Sequence, residues 1–228
     1  MKKSFIILAI LFKFSLALSL NETVALYEAK RYELAFHNFN LLCQQNSATA
    51  CFFLGLMYDQ AQGVKENESE ASRLYELACK KGISSACFNN ALLFDKNELT
   101  EEADLNFYKA CQLRHIDACR NLGLRYEERK EGSTALSFYE KACKFKDGSS
   151  CFKLAKLYEE GNLVRQNVQL ATRTYRTSCE LNFTLACHLL GEHYEGSDNS
   201  LAKRYYGRAC DKSYEPACEA YKRVNQAQ

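Results

Sequence analysis

The sequence has 228 residues, with 30 Lys plus Arg against 28 Asp plus Glu, a formal net charge of +2, and 12 cysteines. This near-neutral balance gives no general attraction to nucleic acid or anionic lipid, so neither is expected as a partner. One proline and no tryptophan suit an all-helical chain with short turns, and no composition shift marks a second domain.

Residues 1–19 are predicted to be a secretory signal peptide. Lys2 and Lys3 precede an apolar core that starts at Phe5, and small-x-small cleavage sites end at Ala17 or Ser19. Lys13 interrupts the apolar run, which is too short to span a membrane. Cleavage removes three Lys and no acid, so Lys plus Arg falls from 30 to 27 against 28 acids in residues 20–228. We expect a secreted or periplasmic protein without a membrane anchor.

After a first half-unit from Asn21 to Arg31, with Asn21 as the expected helix cap, one unit recurs along the whole chain. It is marked by two cysteines that are always eight positions apart. The six pairs are Cys43/Cys51, Cys79/Cys87, Cys111/Cys119, Cys143/Cys151, Cys179/Cys187 and Cys210/Cys218. Below, positions are counted from these cysteines, with minus signs before the first and plus signs after the second.

The residues around each pair follow two helical patterns. Ala stands at −8 and an aromatic residue at −4 in every unit, which places both on one helix face. After the second Cys, Leu is usual at +3, Gly or Ala at +4, and Tyr or Phe at +7. A small residue at a fixed position suits close approach of two helices. The pattern therefore predicts helix–turn–helix units that bury their apolar faces by stacking.

The connections contain residues typical of helix ends. Asn46, Gly82 and Asn182, three positions after the first Cys, are predicted to end helices, whereas Ser47, Ser84 and Thr184 are predicted to cap the next ones. Four extra residues lengthen two connections, around Gly63 and Gly161. The last helix, residues 216–225, starts at Pro216 and has Lys222 where Gly or Ala is expected, as suits a polar end to the array.

This pattern resembles the Sel1-like repeat, a relative of the tetratricopeptide repeat. Within that group the paired cysteines resemble the Helicobacter cysteine-rich protein family, whose mark is a Cys pair eight apart in each repeat. The resemblance implies an all-α, right-handed α/α solenoid over residues 20–228. It also implies that the chain binds penicillin and hydrolyses β-lactams slowly.

The cysteines are predicted to form six disulfides, one within each pair. A signal peptide indicates an oxidising compartment. Each pair flanks a tight turn between antiparallel helices, which brings the two Cα atoms within bridging range. A structural metal is the alternative, but Cys-x7-Cys is not a zinc spacing and only four His accompany it. We expect no metal and no cofactor.

A binding groove is predicted on the helix that follows each second Cys, since this helix lines the concave surface of tetratricopeptide arrays. Its +1, +5 and +8 positions share a face away from the core offsets. The candidate residues are Phe52, Phe88, Arg120, Phe152 and His188 at +1, Lys156 at +5, and Asp95, Glu127 and Glu159 at +8. Such a groove would bind an extended peptide. Alternatively, +1 and +5 pack between units and the acids pair with Arg73, Arg173 or Arg204.

The sequence contains no recognisable serine-enzyme set. Ser150 and Lys153 form one Ser-x-x-Lys string and are the candidate catalytic pair, but no Lys-Thr-Gly accompanies them. Two hypotheses remain. One is a protein of the cysteine-rich β-lactamase-like family whose groove binds a peptide, a cell-wall fragment or a β-lactam. The alternative is a non-enzymatic scaffold for a host or envelope protein. We expect a monomer in either case.

Overall fold

The computed structural model describes residues 19–226, so residues 1–18 of the predicted signal peptide lie outside the described part. The described residues form thirteen α-helices and no strand. The helices are α1 (Leu20–Glu28), α2 (Tyr32–Gln44), α3 (Ala48–Asp59), α4 (Glu68–Lys80), α5 (Ser84–Lys96), α6 (Thr100–Gln112), α7 (Ile116–Glu128), α8 (Gly132–Lys144), α9 (Gly148–Glu160), α10 (Val168–Glu180), α11 (Thr184–Tyr194), α12 (Asn199–Cys210) and α13 (Glu215–Gln226).

The helices group into two compact units, which we call the N-unit, up to His115, and the C-unit, from Ile116. Within each unit, consecutive helices pack in the predicted pattern. The alanines at −8 are all buried, and so are the aromatic residues at −4, including Phe39, Tyr75, Tyr139 and Tyr206. The predicted core positions and the all-α class are therefore confirmed.

Disulfides join the helices on either side of each short turn. Five bridges have Cα–Cα distances of 4.6–4.8 Å: Cys43–Cys51, Cys79–Cys87, Cys143–Cys151, Cys179–Cys187 and Cys210–Cys218. Cys111 and Cys119 are also disulfide-bonded, and no described cysteine is free. The predicted pairing is confirmed for these five bridges, each of which fixes the turn that it closes.

Most of the bridged sulfurs lie in the core. Cys51 and Cys87 have no exposed surface, and their partners Cys43 and Cys79 are only 9% and 7% exposed. These two bridges of the N-unit are therefore covered by the helices that they join, which protects them from a reductant in solution.

The turns share one backbone conformation whatever residue they carry. Asn46, Gly82 and Asn182 have φ of 70°, 90° and 65°, as their residue types predict. Arg114 and Lys146 stand at the same position and have φ of 65° and 72°. Side chains of these two types rarely adopt this region, so the short turn imposes the conformation there.

Three of the predicted helix caps are wrong. Ser47 caps α3 by accepting from the Ala50 N–H, but Ser84 and Thr184 are the first residues of their own helices and make no capping bond. Asn21 is likewise inside α1, because the N-cap is Ser19, two residues earlier, which forms a capping box with Glu22. The last helix starts at Glu215, with Pro216 in its first turn as predicted.

Candidate functional site

Four of the five acids at +8 accept a hydrogen bond from a tyrosine of the following helix. Tyr139 lies over Gly123 and donates its hydroxyl to Glu127 Oε2 at 2.5 Å. The same arrangement recurs in three further pairs, with oxygen–oxygen distances of 2.6–2.9 Å: Tyr75 with Asp59, Tyr175 with Glu159, and Tyr206 with Glu195. The alternative that these acids pair with arginines is therefore wrong for Asp59, since Arg73 binds Glu70 instead.

Burial, together with this contact to a carboxylate, raises the pKa of all four tyrosines, Tyr75, Tyr139, Tyr175 and Tyr206, above the ordinary value of a phenol. The pKa of Glu195 is lowered, first by Arg223 and then by the Tyr206 hydroxyl. The acids at +8 thus contribute to packing between helices. Local helix energetics alone do not explain why acids stand at this position.

The aromatic candidates at +1 are half-buried against the next helix. In the N-unit, Phe52 contacts Tyr75, with ring centroids 6.1 Å apart, and Phe88 stacks on His115 at 4.3 Å. In the C-unit, Phe152 contacts Phe183 at 4.9 Å and His188 contacts Tyr214 at 5.1 Å.

The cysteines that precede these aromatic candidates do not belong to the candidate site. Cys51 and Cys87, which were predicted to form disulfides, are fully buried and bridged. Their side chains point into the core, because neighbouring residues of a helix face different directions. We therefore assign Cys51 and Cys87 to the core, where they hold the helix in place and cannot contact a ligand.

Arg120 forms a salt bridge where the other +1 residues form ring contacts. It lies 3.2 Å from Asp147, four positions after the first Cys of the next pair, where Phe183 and Tyr214 stand in later units. The +1 residues therefore connect consecutive helices and leave only an edge exposed.

The remaining groove candidates lie closer to solvent. Lys156 keeps 45% of its side chain exposed and pairs with Glu160, and Asp95 and Glu159 are exposed. Leu92 at +5 is 44% exposed.

Ser150 and Lys153 bind different carboxylates. Ser150 is fully buried, and its hydroxyl donates to Asp147 Oδ2 at 2.5 Å. Lys153 Nζ lies 3.3 Å from Glu127 Oε2. Asp147 also caps α9, a role that we did not predict for it. Burial opposes ionisation of Asp147, but hydrogen bonds from Ser150 and Ser149 and the Arg120 charge outweigh it and lower the pKa.

Residues 19–226 hold no cluster of three or more His, Cys, Asp or Glu side chains suited to a metal ion. Nor does any helix in this range have the length and apolar character needed to cross a membrane.

A cleft that we did not predict opens beside the start of α10 in the C-unit. It has a volume of about 760 Å³, and Arg173, Arg176 and His193 line it together with Gln169 and Thr172. One feature of the sequence indicates this cleft. His193 stands at +6, a position at which Met57, Leu93 and Leu157 are buried.

The family model of the Sel1 repeat matches residues 48–83, 116–144, 148–183 and 184–214, more than half of the chain. The chain belongs to the Sel1 repeat family. The matched repeats show that our unit is offset by one helix. A Sel1 repeat begins with the helix of a second Cys, so Cys143–Cys151 and Cys179–Cys187 each join one Sel1 repeat to the next.

Residues 84–115 lie between two matched Sel1 repeats and are not matched themselves. Ala91 and Phe107 stand there in place of the Gly and Tyr that pack together in Gly55/Tyr75 and Gly123/Tyr139.

Solved structures of other Sel1 proteins are similar to this one. The Sel1 repeat protein from Oxalobacter formigenes has 25% identity and a TM-score of 0.73 over 85% of each chain. The protective antigen c5321 of uropathogenic Escherichia coli has 20% identity and a TM-score of 0.71, over 82% of this chain and 43% of that one. Helicobacter pylori cysteine rich protein B has 28% identity over 54% of this chain and 94% of that one, with a TM-score of 0.43. No curated protein sequence matches significantly.

Proposed function

We propose that this Sel1 repeat protein is a non-enzymatic binding scaffold that acts outside the cytoplasm and holds a peptide or protein partner on its exposed helix faces. The disulfides indicate a compartment in which such bonds persist. Export by a signal peptide in residues 1–19, to the periplasm or the exterior, belongs to the same proposal. So does a place among the cysteine-rich Sel1 proteins, which the spacing of the Cys pairs supports.

One observation carries the proposal: the positions used in packing stay constant along the chain, whereas the exposed ones change. At +5 the C-unit has Leu124 in α7, Lys156 in α9 and Glu192 in α11. The side chains of Lys156 and Glu192 are 45% and 55% exposed, and their respective partners, Glu160 and His188, lie in the same helix as the residue that they pair with. A constant framework with variable faces is how repeat proteins build extended binding surfaces.

We therefore propose that the ligand lies along the +1, +5 and +8 face within a unit. In the C-unit, the edges of Arg120, Phe152 and His188 would contact it, and Lys156 and Glu159 would orient it. In the N-unit, Phe52 and Phe88 would do the same beside Leu92 and Asp95. A cell-wall fragment or a host protein would be bound through the same face.

β-Lactam hydrolysis receives no support from this arrangement. A serine nucleophile needs a base within hydrogen-bond reach and access to its substrate. Ser150 is fully buried and donates to Asp147, while Lys153 binds Glu127. The geometry thus favours binding over hydrolysis.

An array of random twelve-residue peptides, probed with the oxidised protein, tests the proposal. We expect a sequence-selective set of bound peptides, and we expect K156E to change that set. K80E is the matched control, since Lys80 also forms an exposed i,i+4 pair with a glutamate. Labelled penicillin is tested in parallel. The scaffold proposal fails if no peptide binds above background, or if the protein turns over penicillin and S150A abolishes the turnover without loss of fold.

A further inference from the structure

The charged or titratable side chains that line the cleft beside α10 are all basic. Arg173, Arg176 and His193 line it, and none of its lining residues is acidic. A second cleft of about 700 Å³ shares residues 167–169 with it and adds Arg165. Three arginines and His193 thus line two neighbouring clefts that share part of their wall, in a protein whose formal net charge is only +2.

The two arginines of α10 are available to a ligand in different ways. Arg173 is exposed and forms no salt bridge with the described residues. Arg176 donates to the Tyr194 hydroxyl at 3.1 Å, and Tyr194 stacks on Tyr205 with ring centroids 5.7 Å apart. This contact holds the Arg176 guanidinium in place without neutralising it, which lowers the entropic cost of binding an anion.

A matched repeat elsewhere in the chain shows what α10 has lost. Sel1 repeats 48–83 and 148–183 have equal length, and corresponding residues are 100 positions apart. Asn67 and Asn167 cap α4 and α10 in the same way. In α4, Arg73 is neutralised by Glu70 and Lys80 by Glu76.

In α10 every corresponding acid in the first three turns is replaced. Leu170 stands at the place of Glu70, and Arg176 at the place of Glu76. Val168 replaces Glu68, which in α4 binds Lys96, and it is 49% exposed. The framework of the two repeats is the same, so packing does not require this change of charge.

We propose that this cleft binds an acidic peptide segment, with Arg173 and Arg176 on its carboxylates. The inference rests on the proposed scaffold function and names a ligand class and a site on another helix face. Guanidinium groups bind carboxylates through paired, charge-assisted hydrogen bonds. The exposed Val168 in the same cleft offers apolar contact, and Gln169 can hydrogen-bond to a peptide backbone. The two neighbouring clefts match an extended chain better than a compact ligand.

Fluorescence anisotropy of a labelled deca-glutamate peptide on the oxidised full chain tests the proposal, with deca-glutamine as the neutral probe. We expect deca-glutamate to bind more tightly at low salt and the preference to fade as salt is added. R173Q should weaken its binding about tenfold, the loss of one charge-assisted contact. L170E, which restores the acid found in α4, should weaken it by a similar factor while both arginines remain.

The matched control is R73Q, which alters the neutralised arginine of α4 and should change binding less than twofold. All three side chains lie at least partly at the surface, and thermal melts verify that each variant folds. Equal effects of R73Q and R173Q overturn the proposal, as does the absence of any preference for deca-glutamate over deca-glutamine. Deca-thymidylate bound as tightly as deca-glutamate also overturns it, in favour of a general polyanion site.

The two experiments distinguish failure of the acidic-peptide proposal from failure of the scaffold proposal. If array peptides still bind the protein but acidic ones have no advantage, the cleft assignment is wrong and the scaffold function stands. If no peptide binds at all, both are wrong.

Discussion

Replacing Gly123 tests the packing between consecutive helices. A Cβ on Gly123 would lie 2.5 Å from Cε1 and 2.6 Å from Cδ1 of Tyr139, about 1 Å closer than carbon atoms normally pack. Tyr139 is fully buried and its hydroxyl is bound to Glu127, so the ring cannot simply turn aside. Overpacking lowers the free energy of unfolding by about 1–3 kcal/mol. For alanine, its higher helix propensity offsets about 1 kcal/mol of this loss. We expect G123A to lower the free energy of unfolding by about 1 kcal/mol and G123L by about 2–4 kcal/mol.

Circular dichroism at 222 nm, during thermal and urea unfolding, measures the effect. G207A is the matched control, because Gly207 also lies inside a helix and its added Cβ would lie 3.3 Å from the partly buried Tyr221 ring, which needs to shift by only a few tenths of an ångström. This variant should keep or gain stability through helix propensity. The reasoning is refuted if G123L melts within a degree of the wild type, or if G207A is destabilised equally.

Three further predictions follow from the same contacts. Y139F should lower the free energy of unfolding by about 1–2 kcal/mol, because it removes the hydrogen bond to Glu127. Because the pKa of Tyr139 is raised in the folded state, that stabilisation should be complete below about pH 10 and lost as the pH rises further. The stability of Y139F should therefore depend less on pH in the alkaline range than that of the wild type. Cys210–Cys218 should be the first bridge opened by a reductant, since both cysteines are partly exposed. Its loss should destabilise the last helix pair by about 2–3 kcal/mol. Alkylation and mass spectrometry give the order of opening, and earlier opening of the buried Cys79–Cys87 bridge would contradict the prediction. S150A should lower the free energy of unfolding by less than about 1 kcal/mol, because alanine occupies this position in other units and Asp147 keeps its bonds to Ser149 and Arg120. A larger loss in urea unfolding would contradict this and show that the Ser150–Asp147 hydrogen bond stabilises the fold more strongly.

The fold could be predicted because several independent patterns coincide in each unit. The Cys spacing fixes the turns, and the small residue at +4 together with the aromatic residue at −4 fixes which faces meet. The disulfides followed from the same spacing. What the Cys pattern obscured was the boundary of the repeat, since the bridges join consecutive Sel1 repeats rather than the two helices of one.

Helix caps and turn conformations were harder to predict, because residue type alone does not decide them. Ser84 is a good cap by propensity, but its helix starts one residue too early for the hydroxyl to reach a free N–H. Lys146 adopts positive φ because the turn requires it, not because lysine favours it.

The functional surface was harder to predict than the fold. The row of acids at +8 suggested a ligand, yet four of the acids accept a tyrosine hydroxyl from the next helix. That pairing was visible in the sequence as Tyr at −4 after an acid at +8, but which side chains meet depends on helix packing. The basic cleft was missed because its arginines and His193 come from different helices and show a common surface only in three dimensions.

Amide hydrogen exchange of the oxidised protein, with and without a peptide selected from the array, tests the central claim most directly. A scaffold that binds through exposed helix faces predicts slower exchange along the +1, +5 and +8 face of one unit, or beside α10 for an acidic peptide, with other helices unchanged. Protection spread evenly over the helices, or no protection at saturating peptide, would contradict the claim that this protein binds its partner on a defined face.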